Sequence, residues 1–475
     1  MSCKDEFMLF SYHATCDDWF GVDGVRSYLE RSNLTIDALR LYKEAGFNVL
    51  FVSYVFGYNA LEEEWEQTKT KRVMDMAHEL DMKCIVFEWN LHRLTGTSHS
   101  LIDAAQADGY GTFSSEQELE NFVRNCLKGP MSHPAFFGVS VRDEPFYPMF
   151  QAQGEVYRAI KKIAPQAYVN MNILPYSPNF VLREHRGFYA VDEEEIGPFA
   201  AYQKYNETFY REVNPERLQY DDYPIHENDA GEKYIIPEHI FNADVVSRFC
   251  VERGIDFYKV FQTCAGSTSG KLWRKPTERD MYWQMNIGMA MGIKGFSYWT
   301  YFPTVNTARE YYDETACFVN RFGEPNPIYF VMKKIHSEMQ KAAKTLLKFD
   351  YLGMKIFNAE KLLGDTEFLS VVKQAIQKGE TVEAKLLKIK EVKVFEKGSL
   401  LVTELKNREN GELGYYLVNI TDPATDTKIS TTVRFEEETT VNVLDKGELY
   451  QKIANGGKLT FDLEAGAGVF VVPQQ

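Results

Sequence analysis

The stretch 138–146, Gly-Val-Ser-Val-Arg-Asp-Glu-Pro-Phe, sets two adjacent carboxylates at the end of what reads as a β-strand. Gly138 and Ser140 alternate with Val139 and Val141, the two-residue period of a strand. Pro145 has no N–H to give a ladder, so the strand stops there. Continued to the tip, the alternation puts Arg142 and Glu144 on the side of Gly138 and Ser140, and Asp143 on the valine side. Acids at a strand tip pack poorly, but they can move protons and stabilise a developing cation. Glu144 is the candidate general acid/base, and Asp143 is a candidate for the second catalytic role.

Such a pair needs a scaffold, and the chain from 8 to about 303 repeats one unit: short apolar strand, polar turn, amphipathic helix. The strands fall at 8–14, 48–55, 83–90, 136–144, 168–174, 218–224, 256–264 and 295–302. Helical segments fill the intervals, and Ser115 with Glu118 and Thr277 with Asp280 have the spacing of capping boxes. Gly46 and Gly254 stand where helices should stop. Eight alternating units most simply close into a (β/α)8 barrel. A doubly wound sheet usually carries a glycine-rich phosphate loop after its first strand, and none is present. After a bridging helical region at 327–349, short alternating segments with turn signals at Asn410-Gly411 and Asp445-Lys446-Gly447 predict an all-β, sandwich-like C-terminal domain. The expected division is 1–326, 327–349 and 350–475.

In such a barrel reactive groups gather at the C-terminal ends of the strands. Strand one offers His13, strand two Ser53 or Tyr54, and strand three Glu88-Trp89-Asn90. In strand five Asn170 and Asn172 share a face. Strand six turns Leu218 and Tyr220 outward, so Gln219, Asp221 and Tyr223 point inward and Asp222 faces the helices. Strand seven ends at Gln262, and strand eight supplies Trp299 and Tyr301. Taken singly, each of these fits ordinary packing or hydrogen bonding. Together, carboxylates, amides and aromatics converging on one rim match the needs of carbohydrate chemistry: acids for proton transfer and rings for stacking on a pyranose.

Composition narrows the partners. A formal net charge of −15, with no long basic run, argues against nucleic acid and anionic membranes. No apolar run is long enough to span a bilayer, and the N-terminal residues lack a signal region. Seven scattered cysteines read as reduced thiols, so a cytoplasmic protein is expected. An oxygen-rich metal site from His13, Asp143, Glu144 and Asp221 is conceivable. With no paired-histidine spacing at a strand tip, no metal or other cofactor is expected. The sequence gives no indication of oligomeric state.

The order of parts resembles the (β/α)8 glycoside hydrolases. The residues carrying the resemblance are Asp143-Glu144-Pro145, the run Tyr-Asp-Asp-Tyr-Pro at 220–224, and Gly-Phe-Ser-Tyr-Trp at 295–299. Retaining clan A enzymes carry Glu-Pro at strand four, where Glu is the acid/base, a role that falls here to Glu144. Those enzymes also place a nucleophilic Glu at the tip of strand seven, where this chain has Gln262. The adjacent Asp-Glu pair is instead similar to family 20 and family 123 hexosaminidases, in which the Asp orients the substrate's own acetamido group as nucleophile. The resemblance therefore implies hydrolysis of a β-linked sugar by Glu144, with Asp143 (substrate-assisted) or Asp221 in the second role. It also implies contacts from His13, Glu88, Trp89, Asn172, Tyr223, Gln262, Trp299 and Tyr301. A non-catalytic carbohydrate-binding barrel that has lost its nucleophile is the competing reading.

Overall fold

The computed structural model describes residues 6–14, 34–52, 57–109, 111–175, 198–236, 238–268, 271–303, 311–358 and 383–474. In chain order the first elements are β1 (Met8–Ser11), α1 (Ile36–Glu44), β2 (Val49–Phe51), α2 (Lys69–Glu79), β3 (Lys83–Phe87), α3 (Trp89–Leu94), α4 (Glu116–Ser132) and β4 (Phe136–Asp143). Then come α5 (Phe150–Ile163), β5 (Tyr168–Ile173), α6 (Pro198–Val213), β6 (Arg217–Asp221), β7 (Ile225–Glu227), β8 (Lys233–Ile235), α7 (Glu238–Arg253) and β9 (Asp256–Gln262). They are followed by β10 (Gly266–Thr268), β11 (Lys271–Trp273), α8 (Glu278–Ala290), β12 (Gly295–Trp299), β13 (Tyr311–Tyr312) and α9 (Pro327–Leu346).

Among the described residues, eight strands form one parallel sheet in the order β1-β12-β9-β6-β5-β4-β3-β2. It is the (β/α)8 barrel expected from the repeat. Asn48 closes the seam between the first and last strands of that order. Its backbone N–H donates to Leu9 O (3.2 Å), its Oδ1 accepts from Leu9 N–H (2.8 Å), and its Nδ2 donates to Phe7 O (2.8 Å). The interior is filled by Met8, Phe10, Val49, Phe51, Ile85, Tyr168, Tyr258 and Val260. Outward residues such as Val139, Val141, Tyr220 and Phe261 join the helix layer.

Capping follows the sequence in part. Thr277 and Asp280 form a reciprocal capping box at α8, whereas Glu118 reaches the N–H of Ser114 (2.7 Å), not that of Ser115. Gly46 takes φ +96° against His336, whose Cβ leaves no room for a side chain (2.8 Å).

The C-terminal strands are β14 (Phe349–Phe357), β15 (Ile389–Val394), β16 (Leu400–Asn407), β17 (Leu413–Asn419), β18 (Ile429–Phe435), β19 (Thr439–Asp445), β20 (Glu448–Ala454), β21 (Lys458–Leu463) and β22 (Gly468–Pro473). Six of them form the antiparallel sheet β14-β16-β17-β22-β19-β20, and β15-β18-β21 form a second. Alternation gives the larger sheet two buried faces. Leu400, Val402, Tyr415 and Leu417 pack against Ile429, Val433 and Phe461 of the smaller sheet, while Leu401, Leu405, Tyr416 and Phe470 join the helix layer of the barrel. Polar bonds pin this second face: Trp283 Nε1–H to Ile420 O (3.1 Å), Tyr416 OH to Asn286 Oδ1 (2.9 Å) and Asn286 Nδ2 to Gly466 O (2.8 Å). A cavity of about 510 Å³ between α8, α9 and this sheet is lined by Tyr282, Met285, Met339, Tyr416 and Leu444, away from the strand tips. No described helix is long and apolar enough to cross a membrane. The five described cysteines are buried free thiols.

β4 departs from regular pairing with β5. Ser140 pairs with Asn170, Arg142 with Met171 and Asp143 with Asn172, so Val141 is an extra residue on the β4 side. Such a bulge reverses alternation beyond it. At Gly138 the neighbouring backbone comes so close that a Cβ would lie 1.9 Å from Tyr168 O. Gly138→Ala is therefore expected to cost about 4 kcal/mol or more, read as a fall in the urea midpoint. A loss under about 1 kcal/mol would refute the close approach.

Candidate active site

The bulge corrects the side assignment drawn from plain alternation. Arg142, expected to face inward, instead turns to the helix layer, where its Nη1 lies 3.4 Å from His92 Nε2 beside Gly96. Asp143, expected on the valine side, points inward with Asn172. Asn172 Nδ2 donates to Asp143 Oδ1 (3.0 Å) and to Asp221 Oδ1 (2.7 Å). Two carboxylates thus share one amide, their oxygens separated by no more than those two bonds end to end.

Glu144 follows immediately, in left-handed backbone at φ +43°, a conformation that costs a non-glycine residue about 1–3 kcal/mol. Its N–H donates to Asn172 O (2.7 Å). Tyr205 on α6 donates its hydroxyl to Pro145 O (2.7 Å) and accepts from Leu174 N–H (3.2 Å). The turn that aims Glu144 is thereby clamped from β5 and from α6.

Burial, reinforced by the charge of Asp143, pushes the Asp221 carboxyl up to about 7. Burial also raises Asp143, against the Asn172 bond and the Arg142 charge. Asp143 nevertheless keeps an exposed face while Asp221 is 7% exposed. Solvent blunts the shift on Asp143, so Asp221 is the member that holds a proton near neutrality.

Beneath the pair lies a polar tier in which Asn170 and Gln219 were expected and Tyr12 was missed. Tyr12, next to the favoured His13, accepts from Asn170 Nδ2 (3.3 Å) and Gln219 Nε2 (3.0 Å), and Asn170 also donates to Ser140 Oγ (3.2 Å). The available signal was position: Tyr12 continues the inward face of Met8 and Phe10. Above the tier stands an aromatic wall. Tyr223, half-buried, bonds Asp221 and packs on Trp273 (4.9 Å between centroids). Trp299, also half-buried, meets Tyr12 (6.0 Å) and His13 (4.9 Å). Burial drives the His13 imidazole down to about 3, so it is neutral. Trp273 and Tyr312 belong to a small sheet, β13-β10-β11-β7-β8, built from segments following three adjacent barrel strands. Its two- and three-residue strands are too short for periodicity to reveal.

Other candidates lie elsewhere. Glu88 is buried as the N-cap of α3, and its oxygens accept from Ala60 N–H (3.1 Å), Asn90 Nδ2 (2.7 Å) and Leu91 N–H (2.7 Å). Trp89 starts that helix, half-buried, edge-on to Phe87 (5.0 Å). Gln262 is consumed by backbone: Oε1 takes Ile225 N–H (2.9 Å), and Nε2 donates to Ile225 O (3.0 Å) and Cys264 O (3.2 Å). Tyr301 faces the helix layer against Tyr42 (5.0 Å) and Phe318 (5.3 Å), away from the wall. Ser53 and Tyr54 lie outside the described residues. Among the described residues no group of three or more His, Cys, Asp or Glu is placed to hold a metal ion.

No known protein family matches the sequence, and no curated protein does. Three similar solved structures are barrels of distant sequence. An α-amylase from Anoxybacillus has 11% identity and a TM-score of 0.45 over 100% of this chain and 99% of that one. An endo-β-1,4-mannanase from Thermotoga petrophila has 11% identity and a TM-score of 0.40 over 97% of both. A β-glucosidase from Thermotoga maritima has 8% identity and a TM-score of 0.42 over 70% of this chain and 98% of that one. The chemistry has to be argued from the residues above.

Asp221 yields a pH signature. Its folded proton affinity, about 7, exceeds the unfolded value of about 4. Its contribution to stability is complete below about pH 4 and is lost as pH rises through 7. The stability advantage of wild type over Asp221→Asn should therefore be larger at pH 5 than at pH 8 in urea melts. An equal difference at both pH values would contradict the assignment.

Proposed function

We propose that the chain is a glycoside hydrolase acting on a β-linked sugar, with Glu144 as general acid/base and the Asp143–Asp221 pair opposite the developing positive charge. The observation that carries this reading is the single Asn172 side-chain amide joining both carboxylates while the backbone carbonyl of Asn172 holds the N–H of Glu144. The barrel at 1–326 would do the chemistry, and the segments 327–349 and 350–475 would support it.

In the first step Glu144 gives its proton to the leaving oxygen as the glycosidic C–O bond breaks. A pair with Asp221 protonated and Asp143 ionised offers one hydrogen-bond donor and one negative charge. That combination suits an acetamido group attacking the anomeric carbon: one carboxyl orients the group, and the other stabilises the oxazolinium ion. Glu144, now a carboxylate, then takes a proton from the water that opens the ring. With a sugar lacking the acetamido group, an ionised Asp221 or Asp143 is left to serve as nucleophile or base. Trp299, Tyr223 and Trp273 supply an apolar wall for the pyranose face.

Glu144→Gln should lower kcat/KM on aryl β-glycosides by about 10²–10⁴-fold with an unchanged circular dichroism spectrum, and near-wild-type turnover would sink the assignment. The two routes separate by inhibition. A thiazoline-type acetamido mimic should bind tightly if the substrate assists; no binding, with turnover of sugars lacking the acetamido group, points to a protein nucleophile. Gln262, held by backbone at the strand-seven tip, favours the second reading of a non-catalytic sugar-binding barrel. Sugar binding with no hydrolysis across a panel of aryl glycosides would establish that reading instead.

A further inference from the structure

Directly behind Asp221, on the outer face of β6, lies a cluster of charge that the proposed chemistry does not use. Lys259 on β9 is buried among Tyr220, its ammonium 4.0 Å from that ring's centroid, and Phe261, 5.5 Å away. Its ion-pair partner is Asp222, whose Oδ1 also lies 2.6 Å from His239 Nδ1 on α7, and Asn242 of α7 donates to Asp222 Oδ2 (3.3 Å). Burial pushes Asp222 up, but His239 and Lys259 overcome it and hold the carboxyl at about 2. Burial lowers the proton affinity of both His239 and Lys259, but the ammonium starts about four pH units higher and is held by the Asp222 charge, so Lys259 is the cation that matters at neutral pH.

Sinking an ammonium and a carboxylate into an apolar layer is costly, and a well-packed apolar pair would serve stability as well or better. A buried ion pair is best attested as a device for register. Here there is a register to specify. Asp221 and Asp222 are consecutive, and slipping a strand by one residue exchanges its faces. Either aspartate has the chemistry to enter the pocket. Only one position, however, has an ammonium waiting on the helix side.

We propose that Lys259, Asp222 and His239 position Asp221: the cluster selects which of the two aspartates faces Asn172 and sets the charge balance behind it. The inference rests on reading Asp221 as part of the active site, and its test is a titration that needs no turnover. The titratable groups around Asp221 are Asp143 on β4, Glu144 after it, Tyr12 after β1, Tyr202 and Tyr205 on α6, Tyr220 and Tyr223 on its own segment and, from behind, Asp222 and, on β9, Lys259. Among these groups Lys259 is the cation.

The full-length protein labelled with ¹³C-carboxyl aspartate, its Asp221 signal assigned through Asp221→Asn, reports the midpoint by NMR. Lys259→Met leaves Asp222 unbalanced and should raise the Asp221 midpoint by about one pH unit or more. Asp222→Asn leaves the ammonium unbalanced and should lower it. The double variant restores neutrality and should return it close to wild type. Midpoints unmoved in both single variants, or moved the same way, would overturn the proposal. Should one single variant fail to fold, the sign of the other, set against the double variant, decides. If the protein proves not to hydrolyse glycosides, these shifts stand or fall independently. With activity, the pH limb of kcat/KM assigned to the carboxylate pair should move with the NMR midpoint.

Discussion

An amide nitrogen carries two hydrogens, and in Asn172 both are committed, one to Asp143 and one to Asp221. That assignment fixes the ring of strands around it. β5 must present Asn172 inward, β6 must present Asp221, and β4 must deliver a residue that regular pleating would send the other way. The bulge at Val141 makes the delivery. Three residues upstream, the near-contact between Gly138 and Tyr168 O keeps β4 and β5 pressed together. Glu144 inherits its direction from the same arrangement, since its N–H ends on the carbonyl of Asn172. A change at Gly138 would thus be felt at the carboxylates without touching them.

The electrostatics follow from this crowding. Two acids bridged by one neutral amide cannot both ionise cheaply, so a proton stays with the more buried one. Inside the barrel mouth three neighbours are neutral: His13 is stripped of its proton by burial, and Tyr12 and Tyr223 are pushed well above their usual range. Arg142, the nearest cation along β4, is turned away by the bulge. The pair therefore keeps an excess of one negative charge facing solvent, which a developing sugar cation would meet.

What the sequence makes legible follows the range of the forces. β6 reads correctly because Leu218 and Tyr220 can only be core, which leaves Gln219, Asp221 and Tyr223 for the inside and Asp222 for the helices. The barrel reads because every strand is buried on both faces and bounded by turns. β4 misleads because its bulge is a property of pairing with Tyr168–Ile173 and leaves no local mark. Glu88 misleads because α3 begins directly at Trp89, with glutamate as an unusual N-cap. Tyr301 misleads because the chain leaves β12 toward the helix layer. Tyr12 was overlooked for the more reactive-looking His13, although the tyrosine hydroxyl is what Asn170 and Gln219 bond.

The larger C-terminal sheet is covered on both sides, by the smaller sheet and by α8 and α9. Cut from the barrel, it would show water a continuous surface of Leu401, Leu405, Tyr416, Val418 and Phe470, and the barrel would in turn bare the flank of Trp283. The two halves are separate in topology but not in solvation. Evolution could therefore not shuffle this β region among barrels as an interchangeable cassette. Its inner surface and the helices it covers have to change together, residue against residue.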